Sequence, residues 1–204
     1  MKVKLMLVSL FMFALLFSEN LSAGSFLSVR GFSGYSMPTG RIRSFYIDER
    51  PVLGGGADYL ISPQIGFTFG FYFTHWIGTG NTNPYPAHSS SAFPDQKIKP
   101  FTAGLLINPF VGSQSHGHPI DFYLVLGGGL YLVEKGATDR SKSQVYVLGE
   151  TQKRGGFAGG GRFMVNINSR AGVYLEAKYN YITGPSRFGY VDELIGFAFF
   201  IGRN

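Results

Sequence analysis

Residues 173 to 181 read Val173-Tyr174-Leu175-Glu176-Ala177-Lys178-Tyr179-Asn180-Tyr181. Successive side chains of an extended backbone point to opposite sides. Val173, Leu175, Ala177, Tyr179 and Tyr181 therefore share one face, and Tyr174, Glu176, Lys178 and Asn180 share the other. A helix would scatter both sets around its circumference, so this stretch is a strand with one greasy and one polar side. The same alternation sets Ile65, Phe67, Phe69, Phe71 and Phe73 against Gly66, Thr68, Gly70, Tyr72 and Thr74. It recurs in Phe157, Phe163, Val165 and Ile167 against Ala158, Gly160, Arg162, Met164 and Asn166. Helical periodicity is absent from the chain after its first two dozen residues.

Extending this reading predicts eight strands, at 25 to 36, 51 to 61, 64 to 76, 98 to 111, 120 to 133, 154 to 167, 171 to 183 and 188 to 202. The connections alternate in length up to the last one. Met37–Arg50, Ile77–Lys97 and Glu134–Lys153 are long, whereas Ser62–Pro63 and Asn168–Arg170 are short, and Gly112–Pro119 is intermediate. Short turns at one end and long loops at the other belong to an up-and-down antiparallel barrel in an outer membrane.

A soluble ligand-carrying barrel would alternate in the same way with its greasy side inward, so charge decides which face meets the surroundings. Charged residues make up 15% of the 204 residues, against about 25% in ordinary soluble domains. Most fall in the predicted outer loops, including Arg41, Arg43, Asp48, Glu49, Arg50, Asp95, Lys97, Lys99, Glu134, Lys135, Asp139, Arg140, Lys142, Glu150, Lys153, Arg154, Arg187, Asp192 and Glu193. Strand interiors keep Arg30, Asp58, Arg162, Glu176 and Lys178. So few charges cannot form the wall of a soluble barrel. The aromatic side is expected to face lipid, and because lipid solvates no backbone N–H or C=O, the sheet must close on itself. The fold expected is all-β, an eight-stranded antiparallel up-and-down transmembrane β-barrel spanning residues 24 to 204.

The interior charges are expected to pair. Arg162 and Glu176 stand opposite one another in a hairpin centred on Ser169, and Arg30 and Asp58 in one centred on Ser44, with Lys178 near the first pair. Cross-strand ion pairs in a narrow lumen would spare each charge the cost of unpaired burial. Tyr59, Tyr72, Trp76, Phe122 and Tyr190 lie near predicted strand ends and are expected in the headgroup region, where amphipathic rings concentrate. His75 beside Trp76 is expected there too.

At the N-terminus, Lys2 and Lys4 precede an apolar run from Leu5 to Phe17, followed by Leu21-Ser22-Ala23. A charged, then apolar, then small-residue order reads as a secretory signal peptide over residues 1 to 23. Thirteen residues of helix reach only about 20 Å, short of the ~30 Å a membrane span needs. The net charge of +6 includes those two lysines and no basic run follows, so nucleic acid is not expected as a partner. With no cysteine there is neither a disulfide framework nor a thiolate metal site.

Near the C-terminus, Leu194-Ile195-Gly196-Phe197-Ala198-Phe199-Phe200-Ile201 resembles the closing strand of bacterial outer-membrane barrels. Together with the export segment and the strand pattern, the whole mature chain resembles the small OmpA/OmpX/OmpW-like, or porin-like, barrels. The resemblance implies that Gly196, Phe199 and Ile201 form a signal read by the outer-membrane assembly machinery. The chain departs from the family by finishing Gly202-Arg203-Asn204 in place of a terminal aromatic.

Candidate chemistry is sparse. Gly54 to Gly56, Gly127 to Gly129 and Gly159 to Gly161 open no helix, so they read as small residues in a tight barrel and not as phosphate loops. His88-Ser89-Ser90-Ser91 could supply a base and a nucleophile, but it does not match the His-x-Ser-Asn-Ala-Gly run of lipid A deacylases. His116 and His118 offer two nitrogens near Asp121, a poor metal site, and read as a polar turn. No enzyme activity, cofactor or metal is expected. Eight strands enclose a lumen just wide enough to be filled by side chains. The expected role is therefore structural or surface-interacting, with loops meeting the exterior, and a closed barrel needs no second copy to cover its edges. Outer-membrane lipids are the expected partners, including lipopolysaccharide phosphates drawn to the basic outer loops. The alternative, implied by OmpW-like relatives, is a narrow channel for small hydrophobic compounds with access among Phe45, Tyr46, Trp76 and Tyr146. A lipid-modifying enzyme stands third.

Overall fold

The computed structural model describes residues 25–40, 43, 50–76, 96–110, 119–135, 137–139, 145–147, 151–184 and 187–202. Eight long strands close into one antiparallel barrel: β1 (Phe26–Pro38), β2 (Arg50–Leu60), β3 (Ile65–Trp76), β4 (Gln96–Ile107), β5 (Ile120–Lys135), β8 (Thr151–Asn166), β9 (Ala171–Ile182) and β10 (Phe188–Ile201). Each neighbours the next along the chain, and β10 returns to β1. Two short strands, β6 (Ala137–Asp139) and β7 (Val145–Val147), pair with each other in a connection expected to be loop. Around that connection β5 runs to Lys135 and β8 begins at Thr151, so the outer ends extend beyond their expected limits.

Sequence explains the tight ends. In Ser62-Pro63-Gln64 the Ser62 hydroxyl accepts bonds from the backbone N–H of Gln64 and Ile65, each at 3.2 Å. In Asn168-Ser169-Arg170 the Asn168 Oδ1 accepts from the N–H of Arg170 at 2.8 Å and of Ala171 at 2.9 Å. Short polar side chains thereby satisfy amides that no ladder reaches.

Registers fix the geometry of closure. The row that starts at Ser28 runs through Asp58, Thr68, Gly104, Gly127, Ala158, Asn180 and Tyr190 and returns to β1 at Pro38. Ten residues of stagger over eight strands tilt the strands by about 40° from the barrel axis.

Burial follows the pleat. Phe67, Phe69, Leu175 and Phe199 are 41%, 54%, 56% and 61% exposed on the outer wall, whereas Arg162 and Glu176 are 1% and 4% exposed inside. A wall of bare Phe, Leu and Ile is untenable in water and suits acyl chains. Outward-facing Lys97, Lys99, Glu134 and Lys153 sit at the end of the barrel with the long connections, where Lys99 Nζ lies 2.5 Å from Glu134 Oε1.

Inside, the lumen is filled in storeys. Phe26, Leu60, Leu106, Tyr123, Met164 and Phe200 pack toward the end with the short turns. Trp76, Ile98, Tyr131, Val133, Ile182, Phe188 and Tyr190 pack at the opposite end. Polar and charged groups occupy the middle.

Three aromatics expected at the membrane interface are corrected here. Tyr72, Trp76 and Tyr190 are 3%, 0% and 0% exposed and point into the lumen. Pleat parity is the reason: Tyr72 and Trp76 share the inward face of β3 with Thr68 and Thr74, and Tyr190 shares that of β10 with Asp192. Tyr59 and Phe122 do lie on the outer wall, half-buried, and Phe122 packs against Phe110 with ring centroids 5.7 Å apart. His75 also faces outward and is half-buried.

Candidate functional site: a charged cluster inside the barrel

Five strands turn glycines toward the middle of the lumen and so leave room there. At this level β2, β3, β4, β5 and β8 turn Gly54 and Gly56, Gly70, Gly104, Gly127 and Gly129, and Gly160 inward. The space admits long side chains from β1, β8 and β9, and the fit is close. A Cβ on Gly54 would lie 2.4 Å from the Tyr72 Cβ, and one on Gly156 2.5 Å from the Tyr131 ring.

Into this space project Arg30, Asp58, Arg162, Glu176 and Lys178. Arg162 and Glu176 are register partners, and the Arg162 Nε and Nη2 each lie 2.7 Å from Glu176 Oε2. Arg162 Nη1 also reaches across to Asp58 Oδ2 at 2.8 Å. Arg30 Nε meets the same Asp58 oxygen at 2.7 Å, while its Nη2 donates to Thr68 Oγ1 at 2.9 Å. Lys178 Nζ lies 3.4 Å from Glu176 Oε1 and 4.5 Å from the centre of the Tyr72 ring. The Tyr174 ring lies beneath both guanidinium groups, 5.5 Å from Arg30 Cζ and 5.3 Å from Arg162 Cζ. One connected cluster thus replaces the two separate hairpin pairs expected. The Arg30 hairpin sits two residues out of its expected register, with Ser28 opposite Asp58 and Arg30 opposite Gly56. Arg30 reaches Asp58 diagonally instead.

The sequence reading missed a sixth member. Asp192, assigned to an outer loop, lies in β10 at 0% exposure and opposite Lys178 in register. Its Oδ2 accepts from Tyr72 Oη at 2.5 Å and from Asn180 Nδ2 at 2.7 Å. Tyr72 Oη lies 3.0 Å from Tyr190 Oη, and Tyr131 donates to Asn180 Oδ1 at 3.3 Å. Parity with Leu194, Gly196 and Ala198 was the available signal. With Asp192 included, three cations face three carboxylates in the middle of the lumen. Arg154, also assigned to a loop, is another buried strand residue, and its Nη2 donates to Gln152.

Chemically the cluster is a plug. Ion pairs link Arg30, Asp58, Arg162, Glu176 and Lys178, Tyr72 and Asn180 hold Asp192, and a cavity among Arg30, Thr68, Thr102, Arg162, Glu176 and Lys178 measures about 30 Å³, room for only a water or two. Above it lies the apolar storey, where Trp76 makes edge-on contacts with Phe188 and Tyr190 at 5.8 and 5.2 Å. No group of three potential metal-ligating side chains occurs among the described residues.

The other expected site residues separate. Gly196 faces inward under the Tyr174 ring, and a Cβ there would lie 2.7 Å from it. Phe199 and Ile201 lie on the outward face. Residues 1 to 23, Phe45, Tyr46, His88 to Ser91, His116 and His118 lie outside the described residues, as does the side chain of Tyr146.

Comparison with known proteins agrees with this architecture. A major outer membrane protein from Thermus thermophilus superposes with a TM-score of 0.59 at 13% identity, covering 87% of this chain and 99% of that one. Neisserial surface protein A gives 0.54 at 14% identity, covering 86% and 98%. The fold is that of the small eight-stranded outer-membrane barrels. OprG from Pseudomonas aeruginosa, another outer membrane protein, shares this barrel fold with a TM-score of 0.52 at 19% identity, covering 87% and 95%. No sequence-family description and no curated protein matches the chain.

Proposed function

We propose that the protein is an integral outer-membrane barrel that acts as a rigid, non-conducting anchor for its long exterior connections. The observation that carries this reading is the filled lumen. An ion-paired cluster of Arg30, Asp58, Arg162, Glu176 and Lys178 blocks the middle, and an apolar storey packs toward the end with the long connections. Ion passage would require separating buried partners that hold one another at 2.7 to 2.8 Å, at a cost of several kcal/mol. Loops on such a scaffold are free to vary and to meet the outside.

Export through a cleaved segment at residues 1 to 23, and recognition of Gly196, Phe199 and Ile201 during assembly, belong to the same proposal. So do a monomeric state and the absence of enzymatic activity. At the outer rim, exposed Lys97 and Lys153, flanking the Lys99–Glu134 ion pair, leave a net positive patch suited to lipopolysaccharide phosphates. Planar-bilayer recording on the purified chain is the test. An anchor gives no stable unitary current and no uptake of small hydrophobic compounds into vesicles. Reproducible current or uptake above protein-free bilayers would overturn the reading in favour of a narrow channel.

A further inference from the structure

One row of the outer wall differs from the rest. Gly161 of β8 pairs with Ala177 of β9, Ala177 with Glu193 of β10, and Glu193 with Tyr35 of β1, all facing outward. Phe163 and Leu175 stand on one side of this row, and Tyr179 and Val191 on the other. Two minimal side chains between bulky ones leave a trough, and a groove of about 540 Å³ opens there, bounded by Phe163 and Leu175 at the deeper end and by Tyr35 and Glu193 at the other. That volume lies within the ~300–1,000 Å³ range of small-molecule sites.

Glu193 is out of place for its surroundings. Among the described outward-facing strand residues the other charges, Lys97, Lys99, Glu134 and Lys153, lie within three residues of a strand end. Glu193 is five residues inside β10, about 12 Å below its start at a rise of ~3.3 Å per residue and ~40° of tilt. Val191 continues the apolar wall above it and Ile195 below, at 60% exposure. Its side chain is exposed, and the carboxylate has no hydrogen bond or ion pair among the described residues. A carboxylate in an apolar membrane wall is stabilised by a cation or a strong donor. The trough beside it offers room for an acyl chain. Strand tilt makes the row climb toward the long-connection rim by about 3 Å per strand from Gly161 to Tyr35, so a chain lying on Gly161 and Ala177 brings its polar end up to Glu193.

We propose that this groove binds a phospholipid with a primary amine headgroup, its acyl chain on Gly161 and Ala177 and its ammonium donating to the Glu193 carboxylate beside Tyr35. The proposal rests on the outer-membrane reading above, but its test is separate. Native mass spectrometry of the full chain, released from detergent with equal amounts of phosphatidylethanolamine and phosphatidylcholine of identical acyl chains, reads the preference directly. Both lipids are zwitterionic and only the first carries N–H donors, so the wild type should retain it about tenfold over the second, as a charge-assisted bond in an apolar setting warrants. Glu193→Leu should bring the ratio to about one while still binding lipid, and Ala177→Trp should reduce retention of both lipids by filling the trough. Equal retention by the wild type, or an undiminished preference in Glu193→Leu, would overturn the proposal. Displacement of phosphatidylethanolamine by amine-modified lipid A at equal concentration would overturn the assignment to a phospholipid. Failure of the chain to insert into vesicles would instead count against the outer-membrane reading, so the two failures are distinct.

Discussion

Replacing Arg162 by Met removes the hub of the lumen cluster. Met fills much of the same volume but offers neither charge nor donor, so Asp58 loses its contact at 2.8 Å and Glu176 loses two at 2.7 Å. Removing one partner of a buried ion pair costs about 3–5 kcal/mol. Here the lower end applies, because Arg30 still holds Asp58 at 2.7 Å and Lys178 still approaches Glu176 at 3.4 Å. The predicted loss is therefore about 3 kcal/mol. With a urea slope of ~2 kcal/mol/M the unfolding midpoint falls by about 1.5 M. Trp76, the single tryptophan, is fully buried in the upper lumen and reports the transition in lipid vesicles without labelling. A double variant, Arg162→Met with Glu176→Met, removes one charge of each sign, leaves Arg30 on Asp58 and Lys178 opposite Asp192, and should recover part of the loss, since a buried ion pair can be exchanged for apolar packing at little cost. A midpoint within about 0.3 M of wild type for Arg162→Met alone, which at that slope is under 1 kcal/mol, would refute the claim that the cluster is closed and buried.

Other variants probe the walls. Gly54→Ala would put a Cβ 2.4 Å from Tyr72 Cβ, and overpacking of this kind should cost about 1–3 kcal/mol. Gly31→Ala, with nothing within 4 Å of the added atom, should change stability by less than ~0.5 kcal/mol in the same urea assay. Phe69→Arg, on the lipid face, should cost about 2–4 kcal/mol if it lies near the bilayer midplane. Brominated lipids should leave Trp76 fluorescence nearly unquenched because the indole is inside the barrel; strong quenching would return it to the interface.

The fold was legible because two simple signals agreed. Period-two patterning located the strands, and the scarcity of charge within them told which face meets lipid. The Arg162–Glu176 pairing was legible from the tight turn between them, since a short hairpin leaves little freedom of register. Arg30 and Asp58 are joined by a long connection that does not constrain register, and their expected alignment was out by two residues. Trp76 and Tyr190 were misassigned because closeness to a strand end was allowed to outweigh pleat parity, which puts both inside. Asp192 was missed for a related reason: charge near a loop was read as loop, although β10 alternates without interruption from Tyr190 to Phe200. The joining of both expected pairs through the Arg162–Asp58 contact lay beyond the sequence, because it crosses the lumen between strands that are not neighbours.

The central claim is that the aromatic faces touch lipid and the charged faces meet inside. The chain has no cysteine, so single Cys substitutions at Phe69, Leu175 and Phe199 on one face, and at Thr68, Tyr174 and Ala198 on the other, can each carry a spin label without interference. In bilayers, oxygen should relax the first three labels strongly, whereas the inward sites should be shielded from oxygen and from a water-soluble nickel reagent alike, or resist labelling in the folded protein. Strong oxygen access at 68, 174 and 198 with shielding at 69, 175 and 199 would contradict the account outright.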